Sequence, residues 1–408
     1  MARPLHVLIA GGGLAGLCLA QGLRRAGISC AVYERDPEVR RQGYRITING
    51  DGGNALEGCL PPDLYELYLQ SSRNTPPRRM SVVVDSQANE LSTAPHFGAP
   101  NEGERPHTAI HRRTLRQILG ARLGDAIRPA AKVVGFERDR EKVRLLLEDG
   151  SSAEGDVLVG ADGVYSVIRG RLLPDVEVID SGVRGLGVFA RTPLPADIHD
   201  ELPEVLLSGF VIAVDPATGV TLAMGAMDPR QAPDEAAAQL APDVQLDPIQ
   251  PYMMLTGGIR PGTPIPAPAD WTAETARAVH ARMVEAVAGW HPALRGLVER
   301  IELDTMFASN FMRLDPTPAW TPSNVTLVGD AIHAMLPTMG MGGNTSLRDA
   351  AVLADKLAAA QRGELDPVSA IGAYEADMRD FAYPIMEMSA DHDRFGGGGL
   401  RQAEKERA

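Results

Sequence analysis

The feature that most constrains this chain is the stretch LHVLIAGGGLAGLCLAQGL at residues 5–23. Residues 5–10 form a short apolar run with β-branched members, long enough for a buried parallel strand and too short for a helix. Gly11, Gly13 and Gly16 follow in the spacing GxGxxG, and apolar residues at Leu14, Leu17, Leu19 and Leu23 start a helical stripe inside the motif. A dinucleotide phosphate needs this pattern. The first glycine makes the tight turn, the second lets a diphosphate approach the backbone, and the third lets helix and strand pack closely. The diphosphate then lies on free amides at the positive end of the helix, which puts Leu14 and Ala15 at the site. Glu34 ends a second strand-like run, 29–33, and stands 23 positions after Gly11. That is near the spacing of about 20 expected for an acid that binds a ribose hydroxyl. Arg35 beside it is counted with the same site.

With 408 residues the chain has room for two or three domains. A net charge of −13 argues against a general nucleic-acid or anionic-membrane surface. The three cysteines, Cys18, Cys30 and Cys59, have no CxxC or metal-ligand spacing and read as buried, reduced thiols of a cytoplasmic protein. The apolar start lacks the basic lead of a signal peptide, and no apolar run is long enough for a membrane span.

After Glu34 the pattern predicts a loop carrying Arg45, then a short helix ending near Gly58 and stopped by Pro61 and Pro62. Residues 78–94 read as a hairpin and 110–123 as a helix whose first turn holds Arg112 and Arg113. A cation there opposes the helix dipole, so a negative partner such as a cofactor phosphate is expected. Strands follow at 132–137, 143–148 and 156–161, then a helix over 164–172. From 181 to about 258 alternating runs predict an antiparallel sheet. The segment 229–248 reads as a loop and 261–270 as a proline-rich connector. Helices are predicted at 272–288, 293–300, 345–361 and 368–390, with strands at 306–313 and 324–328 and a frayed tail from Gly396.

Three motifs stand in order: GxGxxG with Glu34; VLVGADGVYSVIR with Asp162, Gly163, Ser166 and Arg169; and VTLVGDAIHAMLPTMGMGGNTSLRDA with Gly329, Asp330, Pro337, Gly340, Gly342, Gly343, Asn344 and Asp349. Together they resemble the FAD-dependent aromatic hydroxylases, the single-component flavoprotein monooxygenases related to p-hydroxybenzoate hydroxylase. HRRTL is similar to the family's HRxxL segment and favours Arg112 over Arg113 as the cofactor contact. The resemblance implies an α/β fold: a Rossmann-like FAD-binding domain, an inserted antiparallel-sheet substrate domain and C-terminal helices. The boundaries expected are 1–75, 100–178 and 305–360 for the first, 76–99 and 179–304 for the second, and 361–408 for the helical segment.

The same resemblance implies that Asp330 accepts hydrogen bonds from ribityl hydroxyls while Gly329 keeps the backbone clear. Gly340 to Asn344 would aim amides and a helix start at the flavin pyrimidine, where reduced flavin is anionic. Asp162 and Gly163 would support the diphosphate and the approach of reduced nicotinamide, with Arg169 fastening their turn. Arg45, placed in a mobile-looking loop, is the candidate for flavin reduction; the alternative is a surface arginine paired with Glu34 or Asp51. His333 reads as a packed structural histidine without a partner. Catalytic residues are otherwise unassigned: His96, His107, His111 and Tyr252 are bases of equal standing. Met224, Met227, Met253 and Met254 are either core or pocket lining.

The leading expectation is an FAD enzyme using NADPH or NADH and dioxygen to hydroxylate or epoxidise an aromatic or polycyclic small molecule through a flavin hydroperoxide, as a monomer or homodimer, with no metal. Alternatives are a redox-neutral flavin-scaffold cyclase, a non-oxygenating FAD oxidoreductase, and a non-catalytic flavin-binding protein. The WxWxIP signature of flavin halogenases is absent.

Overall fold

The computed structural model describes residues 4–38, 43–99, 108–139, 141–182 and 187–390. His107 and the glycines from Gly396 lie outside them. Residues His6–Ala10 form a strand at the centre of a five-stranded parallel sheet, in the order Val325–Leu327, Val157–Gly160, His6–Ala10, Ser29–Tyr33, Ile127–Arg128. Val7, Leu8 and Ile9 are fully buried, as a strand covered on both faces requires. The sheet is assembled from distant segments, so the third motif's strand lies beside the second's.

Helix Leu14–Arg25 covers one face and packs against the long helix Gly342–Gln361, which also contacts Gly50–Cys59 and Pro367–Ala390. A Cβ on Gly22 would come within 2.8 Å of the Ala354 Cβ, so this helix pair approaches closely only because of glycine.

A seven-stranded sheet forms the second layer system, in the order Phe307–Ala308, Val188–Pro193, Tyr252–Gly257, Val220–Met227, Phe210–Asp215, Met80–Asp85, Glu90–Pro95. The hairpin expected at 78–94 thus joins the sheet expected beyond 181, pairing in parallel with Phe210–Asp215. One face of this sheet buries Met224, Met253 and Leu255 against helices Ala273–Ala286 and Pro292–Glu299. Ala236, Ala237 and Ala241 belong instead to the core of the parallel-sheet body. Within the division expected from the sequence, this one segment of 179–304 therefore packs with the nucleotide-binding side.

Several local expectations are corrected. Arg45–Ile48 is a strand, paired antiparallel with Thr108–His111, where a loop was expected. Its partner lies about sixty residues on, so no local pattern announces it. Thr108–His111 takes the start of the expected helix, which runs over Arg112–Gly120. Pro62 opens a helix, Pro62–Gln70, since proline at the first helical position loses no bond. The loop expected at 229–248 holds helix Pro233–Leu240, with Pro233 at its start and Asp234 and Glu235 in its first turn. The strand expected across 306–313 is two short strands in different sheets. Val133–Arg138, Val143–Leu147 and Ser152–Gly155 make a separate three-stranded antiparallel sheet.

The last helix docks on the parallel sheet's edge through polar groups. The Tyr374 hydroxyl donates to Leu327 O at 2.9 Å. Glu375, fully buried, accepts from Thr326 Oγ1 at 2.8 Å and Trp320 Nε1 at 3.1 Å. Burial pushes its carboxyl up to about 7 from 4.5. Between those values the folded protein holds a proton the unfolded chain has released, so this group lowers stability as pH rises through the window. Glu375→Gln is therefore expected to gain on the wild type by about 2–3 kcal/mol as pH rises through that window. Urea unfolding at a series of pH values checks this; parallel curves would mean that Glu375 does not titrate there.

Candidate active site

A cavity of ≈ 1710 Å³ runs from the glycine turn to the seven-stranded sheet. That exceeds the roughly 300–1,000 Å³ of an ordinary small-ligand site and gives room for a large cofactor with a second molecule beside it.

The glycine turn is built as the spacing predicts. Gly11 has φ 107°, and a Cβ on it would lie 2.3 Å from Ala161 O. A Cβ on Gly16 would lie 2.1 Å from Gly11 O, so the third glycine sets the helix-to-strand approach. Gly13 faces open space, where a diphosphate could meet the backbone. Gly13, Leu14 and Ala15 line the cavity, and no acid occupies the first turn of helix Leu14–Arg25. Its positive end is thus left for an anion.

Glu34 lies outside the cavity wall and holds the turn together. One carboxylate oxygen accepts from Gly12 N at 3.0 Å and pairs with Arg116 Nη2 at 2.8 Å; the other accepts from Asp36 N at 2.9 Å. Arg116 Nε also donates to Gly12 O at 2.7 Å. Sequence reading missed Arg116; its signal was its place one helical turn after Arg112. Arg35 is exposed and lies 4.0 Å from Asp36. Arg112 lines the cavity, while Arg113 pairs with Asp247 at 2.5 Å.

Asp162 is turned into its own loop: Ser166 Oγ donates to it at 2.5 Å and Val167 N at 2.7 Å. Burial raises its carboxyl above the usual range. Gly163, at φ 80°, lines the cavity instead. Arg169 is buried and donates to Ala331 O at 2.9 Å and Val164 O at 2.7 Å, fastening the second motif to the third.

Gly329 has φ 62°, and its amide donates to Asp349 Oδ2 at 3.0 Å. The same oxygen lies 2.5 Å from His333 Nε2, with both side chains fully buried. His333 therefore has the partner that its sequence context did not reveal, sixteen residues on in the next helix. The pairing outweighs desolvation and raises the imidazole. With the loop so fixed, Asp330 is exposed to the cavity. Pro337, Gly340, Gly342, Gly343 and Asn344 line the same side. No acid sits in the first turn of helix Gly342–Gln361, and Cβ atoms on Gly340 and Gly343 would meet nothing.

Arg45 is neither in a loop nor at the surface. It opens its strand, is buried, and its guanidinium packs over Gly225 of the seven-stranded sheet. Neither Glu34 nor Asp51 pairs with it among the described residues. Burial, reinforced by Arg73, lowers it to about 9. It thus stands where the cavity meets the seven-stranded sheet.

Of the bases considered, His96 lines the cavity and bonds Ser81 Oγ at 3.0 Å. His111 Nδ1 lies 2.8 Å from the Tyr252 hydroxyl in a buried pair. Burial lowers His111 to about 4 and pushes the Tyr252 hydroxyl well above its ordinary range, so both are neutral at ordinary pH. Among the four methionines only Met254 lines the cavity; Met224 and Met253 are core and Met227 packs with Tyr252. A wall that sequence reading missed is aromatic: Tyr44 stacks on Phe189 at 4.4 Å, with Phe311 edge-on to Phe189 at 6.2 Å. Among the described residues no group of side chains is arranged to hold a metal, and no helix is long and apolar enough to cross a membrane.

The chain is similar to known FAD proteins in sequence and in fold. The FAD binding domain family matches residues 4–49 and 294–389. The chain is 30% identical to a dual O-methyltransferase/FAD-dependent monooxygenase of Phaeosphaeria nodorum, over 98% of this chain and 45% of that protein. It is also 30% identical to chloroplastic zeaxanthin epoxidase of Nicotiana plumbaginifolia, over 92% of this chain and 53% of the relative. It thus spans about half the length of these curated relatives. A crystal structure named as a FAD-containing monooxygenase from Photorhabdus luminescens superposes with TM-score 0.76 at 28% identity, covering 96% of this chain and 98% of that one.

The two motif aspartates are expected to behave differently. Asp330→Ala should weaken FAD retention about ten- to a hundred-fold, for a charged acceptor worth about 1.5–3 kcal/mol, and leave the melting temperature of the flavin-free protein unchanged. Asp162→Ala should lower that melting temperature, because it uncaps its own loop. Flavin retention after dilution and thermal melts of both variants check this; the reverse pattern would show that the two loops are misassigned.

Proposed function

We propose a function from one premise: the chain belongs to the FAD-dependent monooxygenase family that includes the aromatic hydroxylases. It is an NADPH- or NADH-dependent monooxygenase that places one atom of dioxygen on an aromatic or polycyclic small molecule. The observation that carries this reading is the continuity of the cavity from Gly13 and Asp330 to the aromatic wall at Tyr44 and Phe189.

The residues fit FAD. Gly13, Leu14 and Ala15 offer amides and a helix start to the diphosphate, and Arg112 adds a cation. Asp330 is the acceptor for ribityl hydroxyls. Gly342 and Gly343 bring the start of a 20-residue helix to the cavity, where fixed dipoles favour negative charge on the ring system. When bound, FAD supplies hydride acceptance and oxygen activation; the chain's part is to bind, orient and exclude water. Tyr44, Phe189 and Phe311 give a planar substrate a face to stack on. His96, half-buried in the same wall, is the one histidine among the described residues placed to exchange a proton with a substrate hydroxyl.

With an accepted substrate, NADPH or NADH oxidation should accelerate and label from isotopic dioxygen should appear in the product. Mass spectrometry of product made under labelled dioxygen is the check. Unlabelled product formed at full rate without nicotinamide would replace this reading by a redox-neutral cyclase that uses FAD as scaffold.

A further inference from the structure

Arg45 carries a charge that the proposed function does not use. It is 4% exposed, and among the described residues its Nε and Nη1 have no hydrogen-bond partner, while Nη2 reaches Thr47 Oγ1 at 3.4 Å. A guanidinium has five N–H donors and is seldom buried unless paired. The carboxylate that favours its charge among the described residues, Asp228, is held by Arg73 at 2.8 Å. Room for the cation, which stands over the Phe210 ring at 5.9 Å, is built into the sheet: a Cβ on Gly225 would sit 1.8 Å from Arg45 Nη1.

The side chain lines two spaces at once. One is the large cavity with its aromatic wall. The other is a chamber of ≈ 20 Å³ whose lining also includes Arg73, Arg79, Arg230 and His96. Thr47 and His96 border both spaces, so the sheet end of the substrate cavity abuts a cluster of four arginines, with Asp228 paired to one of them. A buried cation with unused donors is costly to the fold, and an arriving oxyanion offsets that by supplying the missing acceptor.

We infer that Arg45 is a specificity-determining residue that binds an oxyanion of the substrate, so the natural substrate is a planar aromatic compound bearing an acidic group, directed at the Arg45 end of the cavity. This reassigns Arg45 from flavin reduction to substrate recognition. It rests on the proposed function only for the word substrate, because the arrangement binds whether or not oxygen is transferred.

The test is therefore binding without turnover, using the FAD-loaded protein and two probes of equal shape, 2-naphthoate and the neutral 2-naphthamide. Calorimetry, or perturbation of the flavin absorbance, reads both. The wild type is expected to bind the carboxylate at least about ten-fold more tightly than the amide, as a charge-assisted bond worth about 1.4 kcal/mol or more requires. Arg45→Met should abolish that preference, weakening the carboxylate far more than the amide and leaving the flavin spectrum unchanged. Should Arg45→Met fail to retain flavin, two other variants decide. Arg45→Lys keeps the cation and should retain part of the preference; Gly225→Ala displaces the guanidinium and should lose it. Equal affinity for the two probes, no carboxylate binding at millimolar concentration, or a preference that persists in Arg45→Met or Gly225→Ala would overturn the inference. Failure of the labelled-dioxygen test alone would leave it standing.

Discussion

The side-chain amide of Asn344 is the contact on which the rest of the site depends. Its Oδ1 accepts from Asn49 N at 2.9 Å, and its Nδ2 donates to Thr47 O and Gly340 O at 3.0 Å each. One buried group thus joins the start of the long helix, the glycine loop before it, and the end of strand Arg45–Ile48. Each bond contributes about 0.5–1.5 kcal/mol, and leaving any partner unpaired in this interior costs about 1–3 kcal/mol. Gly52 must be glycine for the knot to close, since a Cβ there would come within 2.3 Å of Asn344 Oδ1. Through it the helix dipole, the cavity wall and the strand carrying Arg45 take one fixed relation.

A second knot sets the other flank. Asp349 holds Gly329 N and His333, and Arg169 ties Val164 to Ala331. Neither Asp349 nor Arg169 lines the cavity, yet between them they fix where Gly163 and Asp330 stand. The motif residues therefore divide by physical role. Gly13, Arg112, Asp330 and Gly343 face the cavity, whereas Gly11, Gly16, Glu34, Asp162 and Asp349 hold the loops that present them. Sequence spacing identifies both sets together because each loop needs both.

The parallel sheet, the glycine turn and the long helices were legible because their signals are local: an apolar run, glycine at fixed intervals, a 3.6-residue stripe. Strand Arg45–Ile48 was not, because its partner and its burial come from remote chain. The misreading of Arg45 followed directly. On a loop a charged side chain is taken as solvated; in a two-stranded ribbon under another sheet it is enclosed. The helix at Pro233–Leu240 is a different failure. Its start signals are present, and alanine-rich, polar composition concealed them. His333 illustrates a third kind, since its partner is set by how two helices cross rather than by anything in either one.

The cavity's shape follows from the two-residue period of the seven-stranded sheet. Leu222, Met224 and Ala226 point to the helices behind it, with Met253 and Leu255 beside them. Ala223 and Gly225 point the other way, beside Met254 and Thr256 in the pairing Ala223 with Thr256 and Gly225 with Met254. The small residues thus stand where volume is left for a ligand and for the Arg45 guanidinium, and the large ones where a core must be filled. A slip of one residue would exchange the two faces, sending Leu222 and Met224 into the cavity and leaving the core side with Ala223 and Gly225. Burial behind the sheet therefore fixes the dimensions of the space in front of it. The residues that stabilise this layer are for that reason also those that decide how large, and how flat, a substrate can lie against it.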